Sequence, residues 1–220
     1  MKAAPFSYLR PDTVEEAVAL KAQHGPAARF LAGGQSLMPI LNFRLDRPEY
    51  LIDINGLVEL QGIEDAGDTI RIGAVTRHAE IARSDLVKSK LPLLAQCIPH
   101  IAHPAIRTRG TFGGSVALSD PAAEWPACCL ALNARMVFRS VAGERVVEAR
   151  DYFRGLYETA RQPDELLTRI DIPAAAHGTK AVALELARRR GDFAIAGVLA
   201  QARMTDRKLD DLRIVFFGVG

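Results

Sequence analysis

Apolar positions along the chain begin on a helical period and finish on an alternating one. Val14, Ala17, Val18 and Lys21 recur at helical spacing. Thr13-Val14-Glu15-Glu16 in front of them fits a capping box, with the Thr13 hydroxyl and the Glu16 carboxylate satisfying each other's free amides. Gly25-Pro26 ends that helix. Arg29-Phe30-Leu31 reads as a short buried strand running into Gly33-Gly34, and the apolar run Leu37-Met38-Pro39-Ile40-Leu41 follows. Leu51 to Ile54 and Thr69 to Ala74 read as strands. A helix is expected at about His78 to Arg83, and Pro92 opens another over Leu93 to Ile98. After a second glycine cluster, Gly110 to Ser115, Asp120-Pro121 has the composition of an N-cap and first helical residue, so a helix is predicted towards Leu132. Pro126 inside it demands a kink or a later start.

Beyond Asn133 the texture is β. Met136-Val137-Phe138 and Arg145-Val146-Val147 flank Ala142-Gly143 as a hairpin. Leu166 to Ile172 alternates like a half-buried strand and stops at Pro173, and 174–178 is the best linker. Val198 to Met204 and Leu212 to Phe217 are expected to pair across Thr205-Asp206-Arg207-Lys208. Ile214 to Gly220 has the look of an interior strand, which predicts that related chains continue past it and that this one is shortened.

Composition narrows the function classes. With 220 residues, 49% hydrophobic and 25% charged, the chain is an ordinary globular protein of one large or two small domains. A net charge of +2 offers no basic face for nucleic acid. No apolar stretch is long enough to span a bilayer and no secretory leader opens the chain, so the cytoplasm is the expected compartment. Three cysteines, Cys97, Cys128 and Cys129, read as reduced, buried side chains. They are too few for a cysteine-ligated iron–sulfur cluster, so any such chemistry belongs to a partner.

Two segments could carry chemistry: Ala32-Gly33-Gly34-Gln35-Ser36 and Thr111-Phe112-Gly113-Gly114-Ser115. Glycine lets consecutive amides approach one anion, and a flanking hydroxyl adds a donor. Each segment alone reads first as a tight turn; two of them, each after an extended stretch, could equally hold the two phosphates of a dinucleotide. Neither matches the G-x-G-x-x-G fingerprint or the phosphate loop, which disfavours a Rossmann fold. Asp120 and Glu124 follow at helical spacing, either as ligands of a polar cofactor edge or as a cap and a solvated carboxylate. His100 and His103, bracketed by prolines, read as structural, and Arg188-Arg189-Arg190 as an exposed charged face.

Five segments in order resemble one family over nearly the whole chain. They are Ala32 to Pro39, Leu51 to Asn55, Ile72 to Thr76, Ile106 to Gly114, and Arg188 to Ala194. The sequence is similar to the FAD-binding medium subunit of the molybdenum hydroxylases, the xanthine dehydrogenase and carbon monoxide dehydrogenase family. The resemblance implies an α+β fold: a two-lobed FAD-binding domain of the vanillyl-alcohol-oxidase (PCMH) type over 1–173, with lobes of roughly 1–56 and 57–173. A smaller, incomplete C-terminal α+β domain would start at 178–220. It further implies that the loops Ala32 to Leu37 (Ala32, Gly33, Gly34, Gln35, Ser36, Leu37) and Thr111 to Ser115 (Thr111, Gly113, Gly114, Ser115 in particular) cradle the FAD pyrophosphate with backbone amides. Ile101 and Ala102 would lie against the flavin, Glu124 would be an acidic flavin ligand with Asp120 one turn earlier, and Thr76 and Phe193 would approach the cofactor.

The implied protein is an electron-transfer subunit of a heterotrimer, open to pairing as a dimer of heterotrimers. A large subunit carries the molybdenum cofactor and the substrate, a small one carries two [2Fe–2S] clusters, and FAD passes electrons to an external acceptor. No catalytic acid or base and no metal site is expected in this chain. Ser115 stands where Asn is common, and Leu184 where some relatives carry Lys. The competing readings are a free-standing FAD-dependent oxidoreductase on the same fold and a cofactor-poor assembly or docking subunit.

Overall fold

The computed structural model describes residues 2–205 and 208–219. Three sheets are laid down in succession. The first begins with β1 (Ser7–Leu9) and α1 (Val14–His24), followed by β2 (Ala28–Leu31), α2 (Leu37–Asn42) and β3 (Tyr50–Asp53). β3 is central and parallel to both neighbours. At the head of α1 the Thr13 hydroxyl accepts from the Glu16 amide, as expected, but Glu16 reaches back to the Asp12 amide, one residue earlier than a capping box requires. Lys21 is buried, and its ammonium donates to the Gly25 and Ala28 carbonyls, closing the helix end.

The second unit runs through β4 (Ile63–Asp65), β5 (Thr69–Gly73), α3 (His78–Arg83), α4 (Asp85–Lys90), α5 (Pro92–Cys97), α6 (Pro104–Arg107), α7 (Phe112–Leu118) and α8 (Glu124–Ala131). It returns through β6 (Arg135–Ser140), β7 (Gly143–Glu148), α9 (Ala149–Tyr152), the small ribbon β8 (Phe153–Gly155) and β9 (Glu158–Thr159), and β10 (Leu166–Pro173). The resulting sheet is antiparallel in the order β4-β5-β10-β6-β7. The expected hairpin and the β10 strand are both present. Two expectations change. The second glycine cluster does not follow a strand; it follows α6 and itself opens α7, with Thr111 as N-cap accepting from the Gly114 amide. The helix expected from Asp120 starts later, at Glu124, which places Pro126 in the first turn where its missing N–H costs nothing.

β11 (Thr179–Leu186), β12 (Ala196–Thr205) and β13 (Lys208–Phe217) form the third sheet, antiparallel in that order. The expected pairing of the last two strands is present, while 206–207 and Gly220 lie outside the described residues. The interior strand expected at Ile214 to Gly220 is, among the described residues, an edge strand. It is amphipathic: Phe217 is buried towards α8, and Leu212, Ile214 and Phe216 are exposed on the other face, in line across β12 with Leu184 and Val182 of β11. The apolar residues that suggested an interior strand therefore cover two different surfaces.

The main core lies between the second sheet and the helices α3 to α8, where Ile70, Ile72, Phe112, Trp125 and Phe138 exclude water. All three cysteines are buried there as free thiols. Phe112 meets Trp125 edge-on at 5.1 Å, so the residue after Thr111 anchors the second loop in the core. Phe112→Ala should lower stability by about 3–5 kcal/mol. Urea unfolding followed by the fluorescence of Trp125, the single tryptophan, measures that loss.

Candidate functional site

The two glycine loops meet. β2 delivers Ala32 to Ser36, and Arg109-Gly110 delivers the start of α7 against it. A side chain on Gly33 would place its Cβ 2.3 Å from the Arg109 carbonyl oxygen, and one on Gly113 would sit 2.5 Å from Ala74 Cβ. Both glycines are thus required by backbone packing. Gly34 adopts φ +70°, where glycine is favoured, and turns the chain into α2. Polar contacts lock the junction. Asn55 Nδ2 donates to the Ala32 carbonyl at 2.7 Å, and Arg77 spans from Asn55 Oδ1 (2.7 Å) to the Arg109 carbonyl.

A cavity of about 700 Å³ opens along this junction. Its volume lies within the range of small-molecule and cofactor sites. Every residue that the resemblance assigns to the cofactor lines it except Thr76. Thr76 is fully buried, and its hydroxyl donates to the Gly62 carbonyl at 3.0 Å, so it supports the loop from behind. Among the described residues the amides of Gly33, Gly34, Gln35 and Ser36 have no protein acceptor. They are free to meet an anion. The second loop differs from expectation: the amides of Phe112, Gly113, Gly114 and Ser115 are taken by Thr76, Ala74 and Thr111. It contributes a surface without side chains at Gly113 and Gly114 and the hydroxyls of Thr111 and Ser115. Amide donation is concentrated in the first loop.

At the other end Ile101 and Ala102 form the wall. Ala102 takes φ +46°, a strained value for a residue with a Cβ, and Arg107 holds the turn by donating to the Ile101 and Ala102 carbonyls at 2.9 and 3.1 Å. Gly191 packs on the Ala102 carbonyl, which brings in Phe193, 65% exposed, from the third sheet. Asp120 is committed at both oxygens, to the Ala122 amide (2.9 Å) and the Tyr157 hydroxyl (3.0 Å). Glu124 is not solvated: it is 7% exposed, and burial, with the negative Glu185 and Asp120 beside it, pushes its carboxyl up to about 7. Sequence reasoning missed His78, Lys21, Arg29 and Arg161, which also line the cavity. No local pattern marks them, since packing from distant elements brings them there. His78 accepts from Trp125 Nε1 at 3.0 Å, and burial, reinforced by Arg107 and Arg77, pulls its value down to about 4. Among the described residues no cluster of His, Cys, Asp or Glu is placed to hold a metal ion, and no helix is long and apolar enough to cross a membrane.

Residues 4–175 match the family described as the FAD binding domain in molybdopterin dehydrogenase. The chain belongs to that family. It is 41% identical over its full length to caffeine dehydrogenase subunit beta of Pseudomonas sp. (strain CBB1), covering 75% of that protein. Identity to the carbon monoxide dehydrogenase medium chain of Hydrogenophaga pseudoflava is 40%, over 97% of this chain and 75% of the relative. A solved carbon monoxide dehydrogenase from the same organism superposes with a TM-score of 0.98 at 40% identity, covering all of this chain and 77% of the other. Quinoline 2-oxidoreductase from Pseudomonas putida 86 gives 0.94 at 37%, with 100% and 76% covered. The fold is therefore the α+β FAD-binding architecture of these proteins, and the chain is an oxidoreductase subunit built to carry FAD.

Two outcomes follow from this geometry. Gly33→Ala should force the loops apart and cost about 1–3 kcal/mol, read as a lowered thermal midpoint. His78 is neutral in the fold and protonates more readily when unfolded. Its contribution is thus present above pH 6.5 and is lost as pH falls towards 4, about 3 kcal/mol in all. Urea midpoints across that window should fall less steeply in His78→Gln than in the parent.

Proposed function

We propose that this chain is the FAD-binding electron-transfer subunit of a heterotrimeric molybdenum hydroxylase. In this reading a large partner carries the molybdenum cofactor and oxidises the substrate, and a small partner carries [2Fe–2S] clusters. The flavin, when bound, accepts electrons from those clusters and passes them to an external acceptor. Residues 1–173 form the cofactor domain, and 178–220 begin a C-terminal domain that docks against it. Sedimentation of the purified complex distinguishes one heterotrimer from a pair.

The observation that carries the proposal is the row of four unengaged amides at Gly33 to Ser36, facing a cavity whose opposite wall lacks side chains at Gly113 and Gly114. A pyrophosphate fits that chemistry: the amides and the Ser36, Thr111 and Ser115 hydroxyls can donate to its oxygens. Ile101 and Ala102 offer an apolar wall to a flat ring and exclude water from one side. Named relatives act on substrates as unlike as caffeine, carbon monoxide and quinoline, which supports placing substrate choice on another subunit.

Ser36→Asp tests the phosphate end. Ser36 is exposed and precedes α2, where Asp is accepted as an N-cap, so the fold should survive. A carboxylate facing the phosphates should weaken FAD binding by about tenfold to a hundredfold. The visible spectrum and flavin-fluorescence titration measure it. A parent chain that takes up no FAD would overturn the proposal.

A further inference from the structure

Glu124 has a neighbour that the cofactor reading does not use. Glu185, on β11 of the third sheet, has a side chain only 4% exposed and lies within hydrogen-bonding reach of Glu124 at the first turn of α8. β11 is clamped in place there, because Gln96 of α5 donates to the Ala181 carbonyl (3.0 Å) and accepts from the Ala183 amide (3.1 Å). The contact is therefore a fixed bridge between the cofactor cavity and the C-terminal sheet.

As two carboxylates this pair would be untenable. Like charges would face each other out of water, and Glu185 Oε2 is fully buried with no hydrogen-bond donor. His100 Nδ1, from the turn after α5, is 3.8 Å from that oxygen, too far to donate. Through space His100 favours a charged Glu185, but burial outweighs it, and Asp120, in the loop before α8, adds negative charge beside Glu124. A proton on Glu124 supplies the missing donor and removes the repulsion together.

We propose that Glu124 and Glu185 share one proton, and that Glu185 thereby acts as a positioning residue, presenting Glu124 to the cavity as a neutral hydrogen-bonding group. Glu124 gives its O–H to Glu185 and turns its other oxygen to a hydroxyl or N–H donor of the ligand. One negative charge is spread over both side chains and kept away from the phosphates. The direction of both shifts, upward for Glu124 and for Glu185, agrees with this arrangement. The ligand half of the inference rests on the FAD reading; the shared proton does not.

The test separates the two. Infrared spectra of the full chain without FAD, in H2O and D2O at pH 6, should show a protonated-carboxyl stretch that is lost in Glu185→Gln and in Glu124→Gln. In Glu185→Gln, with circular dichroism unchanged, FAD binding should weaken about tenfold although Glu124 is intact. Absence of the band in the parent, or its persistence in Glu185→Gln, would overturn the shared proton. Equal FAD affinity in parent and Glu185→Gln would overturn the positioning role. A parent that shows the band but takes up no FAD would overturn the cofactor reading and leave the proton pair standing.

Discussion

The site depends on one close approach, that of the Gly33-Gly34 loop to the Arg109-Gly110 backbone. At this separation no Cβ fits on Gly33, so at the junction itself the two loops meet through main chain. Asn55 and Arg77 then fix the relative position by donating to carbonyls on both sides. The first loop's carbonyls accept from Asn55 and from the first turn of α2, while its amides find no protein acceptor among the described residues. The same packing that joins the loops therefore leaves donors on the cavity side of the first one, among the described residues.

The cavity is graded in polarity along its length. Amides and hydroxyls gather at the loop junction, where a doubly charged group needs donors. Apolar Ile101 and the strained Ala102 line the far wall, where a flat ring needs exclusion of water. Two buried titratable groups lining the cavity are shifted towards neutrality: His78 by the loss of water and by two guanidinium groups, and Glu124 by the loss of water and by other carboxyls.

The third sheet completes the far end. Gly191 and Phe193 reach the Ala102 turn, and Glu185 reaches Glu124, from a segment that shares no strand pairing with the second sheet.

Much was legible in the sequence because local rules decide it. Thr13 and Gly25 bound α1, Pro92 starts α5, and alternation marks β10 and the β12–β13 pair. The glycine pairs mark the loops because only glycine permits such backbone proximity. What failed was decided by distant neighbours. Asp120 looked like a helix cap, yet Tyr157 and the Ala122 amide hold it in a turn before the helix starts. The second loop's amides looked free, yet Ala74 and Thr76 occupy two of them across a contact no linear pattern encodes. Residue type and local spacing determined which segments could meet a phosphate; only the packing of separate elements decided which amides remained unpaired and which carboxyls lost their water.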